Sequence, residues 1–493
     1  MQNARISSVS ILYIGGDGSR SPRLPIVAIC SHFYIPTNMK KVILLLMILM
    51  ACINATFAIT DSGTCGDNLT WSLDRDNNHL NIVGFGEMTD YSQSGPWISS
   101  DVYTISLPEG LTHIGNHAFS SCENVVSVTL PNTLVSIGDF AFSHCISLTA
   151  IEIPDNVTTI GIHAFYYCIG LENVTVGKGV SNIANAAFEA CGIKTVYWNT
   201  TNYVNSNEYG TPLPTSNLST IVFGNEVEII PDRLCMSSRI TSVIIPSGVQ
   251  SIGKEAFYNC SLLEPASIPN SIISIGDKAF MYSSSLQSVD IPNSVTKLGE
   301  LAFAQCTNLQ TAIIGNSVDS IKYMTFGNCS SLTSVFIGNS VREIGEAVFY
   351  YCTALSSINI PDNVSSIKRV AFDHCTSLNS IIIGSGVQSI GEMALFYCSG
   401  LSSITCNAVT PPILGNNVFL TVEKTIPLYV PKTSIPLYKE ADQWKDFYIP
   451  TEVEGIQSYN ERLSTTKILH NGKVLLYTNP CVYDIQGKLV KTQ

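Results

Sequence analysis

The residues most able to do chemistry recur on a fixed step. Cysteines stand at Cys122, Cys145, Cys168, Cys191, Cys260, Cys306, Cys329, Cys352, Cys375 and Cys398. Each lies three residues after an index position held by Phe119, Phe142, Phe165, Phe188, Phe257, Phe303, Phe326, Phe349, Phe372 and Leu395, with Phe280 at the same phase. A periodic row of thiols suggests disulfides or a metal ladder. Stacked strands, however, set equivalent β-carbons about 4.8 Å apart with parallel side chains, whereas a disulfide needs about 3.5–4.5 Å and side chains that face each other. Ser237 or Ser238, and Ser283, replace the cysteine in other units. A small buried side chain is what the position requires, so free thiols are expected. His144 and His374 directly precede ladder cysteines, but neighbours on opposite faces cannot converge on one tetrahedral zinc ion. His113 and His117 have helical i, i+4 spacing without a third ligand. The chain carries no GxSxG, no Walker loop and no dinucleotide fingerprint in a strand-to-helix context. No metal, no cofactor and no catalytic residue is assigned, and an enzyme is not expected.

The elements that position these residues follow from the 23-residue step between index positions. A fixed period of this size marks a solenoid, in which each unit buries its apolar face only against its neighbours. The unit Ile153 to Val176, IPDNVTTIGIHAFYYCIGLENVTV, is representative of Leu107 to Cys406. Its closing apolar-x-apolar pair is a strand signal, and the spacing in IGxxAFxxC predicts one or two helical or 3₁₀ turns. The fold expected is an α/β repeat solenoid with a parallel sheet on one face, short helical turns on the other, and a cap at each end. Charged residues are 13% of the chain and the formal net charge is −12. That leaves no basic field for a phosphate backbone, so nucleic acid is not expected as a partner.

Residues 1–58 comprise an upstream segment and, over 39–58, a secretion signal. MKKVILLLMILMACINATFA has two lysines, an apolar core and small residues at its end. Twelve apolar residues cover about 18 Å as a helix, short of a bilayer core of about 30 Å, so no transmembrane span is expected in the mature chain. Met39 is a candidate start. Cleavage after Ala58 is the favoured processing; Leu49-Met50-Ala51-Cys52 also fits a lipoprotein box, with Cys52 as the lipidated residue. Residues 59–104 read as an N-terminal β cap with two strands, LTWSLD and HLNIVGFGEM, packed by Trp71 and Trp97. The solenoid spans 105–406, with an irregular loop at about 192–223. A C-terminal cap covers 407–455, with a strand at Leu428 to Val430, a short helix from Tyr438 to Phe447, and Trp444 and Phe447 over the last turn. A small β module, a possible sorting tail, occupies 456–493.

The repeat resembles the BspA-type leucine-rich repeat over Leu107 to Cys406. SGTCGDNLTWSLD with GFGEM, and LYVPKTSIPLYKEADQWKDF, are similar to the flanking segments of exported proteins of that family. The resemblance implies a secreted or cell-surface protein that binds host matrix proteins, other bacteria or glycans. Two columns of free positions are candidates for partner binding. One follows the index residue: Tyr166, Tyr167, Tyr258, Tyr282, Tyr350, Tyr351 and, beside Phe396, Tyr397. Tyrosine offers large amphipathic contact area at low entropic cost. The other is the outward residue of each strand, where Ile313, Phe336 and Ile382 would form an exposed apolar patch. The expected function is surface adhesion or protein interaction with host matrix or other cells. A glycan-capturing protein of a nutrient-uptake system is the alternative, and a structural envelope component the third.

Overall fold

The computed structural model describes residues 60–97, 102–205, 210–264 and 267–451, together with four strands between 465 and 492. The upstream segment and secretion signal lie outside the described residues. The described residues between 102 and 451 build a parallel solenoid of about 15 turns with a period of about 23 residues.

Two rows of strands run along it. The wider row contains Asn173–Val176, Thr195–Trp198 and Thr220–Phe223, then Ser288–Ile291 and Thr311–Ile314, then Ser357–Ile360, Ser380–Ile383 and Ser403–Cys406. Neighbours pair in parallel, Val289 opposite Ala312 and Ile358 opposite Ile381. The narrower row is built from two-residue strands such as Ser251–Ile252, Ser274–Ile275 and Lys297–Leu298, again parallel and in phase. It was not legible as a strand, because two residues show no alternation. Between Phe223 and Ser288 the wider row carries no assigned strand among the described residues.

The segment predicted to be helical is not. The described helices are the 3₁₀ turn Lys432–Ser434 and the α-turn Ile435–Tyr438, both in the C-terminal cap. From the glycine before the index phenylalanine to the cysteine after it, the backbone makes consecutive tight turns: Ala118 N–H donates to Gly115 C=O, Ser120 N–H to His117 C=O, and Cys122 N–H to Phe119 C=O. The intervening N–H groups point along the rod. His117 N–H donates to Asp139 C=O, Phe119 to Ala141 and Ser121 to Ser143, at 2.7–2.8 Å. This requires a left-handed residue two positions before and two after each index residue, as at Phe140 (φ 55°) and His144 (φ 60°), or Val370 (φ 48°) and His374 (φ 62°). Each turn thereby pairs its backbone twice, within itself and with the next turn, and so satisfies donors that burial would otherwise penalise.

Index phenylalanines stack through the core. Phe142 and Phe165 are 5.3 Å apart with planes 4° off parallel, and Phe280 and Phe303 are 5.2 Å apart at 5°. The cysteines are free and buried. Cys306 Sγ donates to Phe280 C=O at 3.2 Å and Cys352 to Phe326 at 3.2 Å, each to the index carbonyl one turn back. Ser283 makes the same bond to Phe257 at 2.9 Å, which explains why serine can replace cysteine there. Burial pushes the thiols of Cys122 and Cys306 up to about 12.

The caps supply what the end turns lack. At the N-terminus three strands, Thr60–Gly66, Leu69–Asp74 and His79–Gly84, form an antiparallel meander; the first was not anticipated. Trp97 is buried against Trp71 and Phe119, and its Nε1–H donates to Ala118 C=O at 2.9 Å, standing in for the absent preceding turn. At the other end Trp444 and Phe447 pack on Phe419, and Trp444 Nε1–H donates to Pro412 C=O at 2.9 Å. The helix of this cap is Ile435–Tyr438, ahead of the predicted Tyr438 to Phe447, because Pro436 in its first turn needs no N–H partner. Strands Thr465–His470, Lys473–Thr478, Cys481–Asp484 and Leu489–Thr492 form a four-stranded antiparallel sheet.

Candidate functional site

Among the tyrosines that follow the index residue, the left-handed position decides which reach solvent. A residue with positive φ turns its side chain away from the turn that the index phenylalanine fills. Tyr167, Tyr282, Tyr351 and Tyr397 all occupy the position two after the index residue, with φ of 59°, 64°, 56° and 52°, and all four are exposed. Tyr166, Tyr258 and Tyr350, one residue earlier, are half-buried. The pairs that the sequence presents as equivalent thus divide into an exposed member and one that covers the edge of the core.

Two aromatic surfaces result. In the C-terminal turns, His374 lies between Tyr351, at 4.1 Å with planes 10° apart, and Tyr397, at 4.4 Å and 29°. Tyr350 and Phe396 meet these rings edge-on. Asp373, largely buried, accepts a 2.6 Å bond from His374 Nδ1, which holds the imidazole in the stack. Burial raises the Asp373 carboxyl, opposed by the His374 bond. In the N-terminal turns the rings spread sideways. His117 stacks on Phe140 at 4.8 Å and Phe140 meets His163 at 4.9 Å with planes tilted by 39°, all on the column two residues before the index. His163 then meets Tyr166 at 5.0 Å, and Tyr166 and Tyr167 meet His144 at 5.5 and 5.2 Å. Sequence reasoning did not single out Phe140 and His163 as members of an aromatic row, since it placed them in helix. Tyr258 and Tyr282 form a smaller edge-to-face pair at 5.5 Å.

The second predicted patch needs correcting. Ile313 is only 5% exposed. It lies in register between Asp290 and Phe336, and the strand Thr465–His470 lies against Thr311–Ile314. Phe336 and Ile382 are half-buried. The exposed apolar residues of this face are instead Tyr197, Val222 and Ile244, the last 84% exposed. Thr175, Tyr197 and Val222 are paired in register at steps of 22 and 25 residues, so the interval read as an irregular loop contributes two regular strands. A constant step of 23 could not find them.

Among the described residues no group of His, Cys, Asp and Glu is arranged to hold a metal ion, and no helix is long and apolar enough to cross a membrane.

A solenoid with a buried Phe followed by Cys or Ser in most turns, parallel strands and a period near 23 defines a leucine-rich-repeat protein. The family model for the BspA type leucine rich repeat region matches residues 97–209, 228–355 and 342–460, and the chain belongs to that family. Family and fold together make it a surface repeat protein of the protein-interaction kind. Among solved structures it is similar to a leucine-rich repeat protein from Bacteroides ovatus, with 25% identity over 69% of this chain and 93% of that one and a TM-score of 0.46. It is also similar to a leucine rich cell surface protein from Faecalibacterium prausnitzii, with 23% identity over 70% and 94% of the two chains and a TM-score of 0.31. The pneumococcal vaccine antigen PcpA aligns at 15% identity over 81% and 100%, with a TM-score of 0.33. No curated protein matches the chain.

Proposed function

We propose that this is an exported adhesion protein, holding rows of recognition side chains on a rigid rod for contact with host matrix proteins or neighbouring cells. The observation that carries the reading is the set of exposed tyrosines fixed at left-handed positions, in the C-terminal turns within a stack of rings. Tyr351 and Tyr397, held in that stack, have less rotamer freedom left to lose, which spares a partner part of the ordering cost. The core positions are needed for stacking and leave no room for a ligand.

Glycan capture is the weaker reading at the C-terminal strip. A sugar ring stacks on an aromatic face, and His374 already occupies one face of Tyr351 and one of Tyr397. A sugar would therefore find fewer free faces here, whereas the tyrosine hydroxyl groups suit hydrogen bonds to a polypeptide.

The test is binding to a panel of matrix proteins and, beside it, to a glycan array, with the wild type and a Tyr351→Ser/Tyr397→Ser variant. Loss of a matrix signal with unchanged thermal unfolding supports adhesion through the strip. A signal on the glycan array alone replaces it with the capture reading.

A further inference from the structure

The N-terminal aromatic surface differs from its C-terminal counterpart in charge. Between Arg75 and Lys178 the chain has ten Asp and Glu, five His and no Lys or Arg. The acids beside the rings have histidine neighbours. Glu189 Oε2 is 3.4 Å from His163 Nε2, and Asp90 Oδ1 is 3.6 Å from His113 Nε2, with both carboxylate side chains more than half exposed. Glu123 is exposed two residues beyond the left-handed Ser121. The two lysines that follow are engaged elsewhere, Lys178 with Glu226 and Lys194 with Glu172.

Six rings, His117, Phe140, His163, Tyr166, His144 and Tyr167, link across three consecutive turns, so this is a patch and not a line; Tyr167 is exposed and the other five are half-buried. An aromatic patch rimmed by carboxylates without fixed cations has a definite complement. Arginine and lysine bring an apolar stem that lies on rings and a charged head that reaches the rim, and guanidinium stacks on an exposed ring such as Tyr167. A second copy of the chain is disfavoured as an isologous partner, because a two-fold interface would set this acidic surface against itself.

We propose that the patch around Phe140, His163 and Tyr167 docks a cationic polypeptide segment, with Glu189 at its edge and Glu123, exposed in the first of the same three turns, pairing with Arg or Lys side chains. This rests on the interaction reading above and narrows its partner. Each exposed ion pair is worth little singly, so the rings supply contact area while the unbalanced charge steers the encounter and makes it salt-dependent.

The probe is a fluorescein-labelled peptide of alternating Arg and Ser, with a Glu–Ser peptide as control, titrated against the full exported chain. The Arg peptide binds and the Glu peptide does not. Glu123→Lys/Glu189→Lys weakens binding about tenfold or more, and raised NaCl weakens it further, as rim charges do. Tyr167→Ser weakens it about fivefold, in line with loss of one aromatic anchor. Glu300→Lys/Asp319→Lys changes net charge equally at the far turns and leaves binding within about twofold. Unfolding curves of all variants overlay the wild type. Equal weakening by both reversals means attraction to bulk charge alone and overturns the proposal, as does failure of the Arg peptide to bind. A matrix ligand lost on Tyr351→Ser/Tyr397→Ser but indifferent to Glu123→Lys/Glu189→Lys keeps the broader reading and removes this one.

Discussion

The N-terminal turns indexed by Phe119 to Phe188 and the C-terminal turns indexed by Phe303 to Leu395 are nearly the same object inside and different objects outside. Both stack aromatic rings about 5 to 6 Å apart, and both donate a cysteine thiol to the index carbonyl one turn back, at 3.1 Å for Cys168 and 3.2 Å for Cys375. Outside, the C-terminal turns carry four Lys and Arg against seven Asp and Glu between Gly299 and Cys398. Several are paired between turns, Lys368 with Glu343 at 2.9 Å and Arg369 with Glu346 at 2.5 Å. In the N-terminal turns Glu172 has such a partner in Lys194, but the chain offers no Lys or Arg between Arg75 and Lys178 for the other carboxylates. Where the interior is held constant by stacking, the surface is the part free to differ, and recognition must lie in that difference.

The sharpest way to break the comparison is to attack the shared interior in each half. Phe165→Ala and Phe349→Ala each delete a ring that is fully buried between two others. Each should cost about 3–5 kcal/mol in urea unfolding, with similar values in the two halves. A solenoid can open locally, so hydrogen exchange should rise first around the altered turn. A cost confined to one half would show that the interiors are not equivalent.

The thiol column gives the next effect. In the native chain at pH 8 the ladder cysteines should not react with a thiol reagent, and all should react in denaturant. The sign of the pH dependence follows from burial. Cys122 and Cys306 are pushed from 9.0 up to about 12, so the unfolded chain loses these protons first. Their contribution is complete below about pH 9 and falls by about 1.4 kcal/mol per pH unit per thiol between about 9 and 12. Thermal stability should therefore drop steeply on the alkaline side of pH 9. A flat profile there would mean that the thiols are solvated. Cys306→Val keeps the site filled with an apolar side chain, slightly larger than cysteine, but leaves Phe280 C=O without its Sγ donor. It should cost about 1–2 kcal/mol, and Cys306→Ser, which copies Ser283, should cost less.

The repeat period, the stacking core and the buried tryptophans at both ends were legible because each depends on residue type in a fixed pattern. Phe, Cys and Val recur because neighbouring turns must present matching surfaces. The turn conformation was not legible. Left-handed residues are normally announced by glycine, and here the positions hold His, Tyr, Ala, Gln, Met and Val, so apolar spacing of three to five read as helix. Tyr197 and Val222 escaped for a different reason: their strands keep register in space while the chain between them lengthens and shortens.

Val370 offers the finest test of what those left-handed positions are for. A β-branched residue at φ 48° is held against its backbone preference, at a cost of about 1–2 kcal/mol. Asparagine tolerates this conformation better, and the chain already places Asn259 and Asn328 at left-handed positions of other turns. If residue type there is governed by the surface and not by stability, Val370→Asn should stabilise the fold by about 1 kcal/mol in urea unfolding. It should also leave binding untouched, since Val370 lies in the column before the index residue, away from Tyr351 and Tyr397. Tyr351→Asn should be equally well tolerated by the fold and should remove the ligand. A destabilising Val370→Asn would mean that this column is held by packing between Ala347 and Met393. The aromatic residues His117, Phe140 and His163 would then also be read as structure, and the N-terminal patch would lose half its rings.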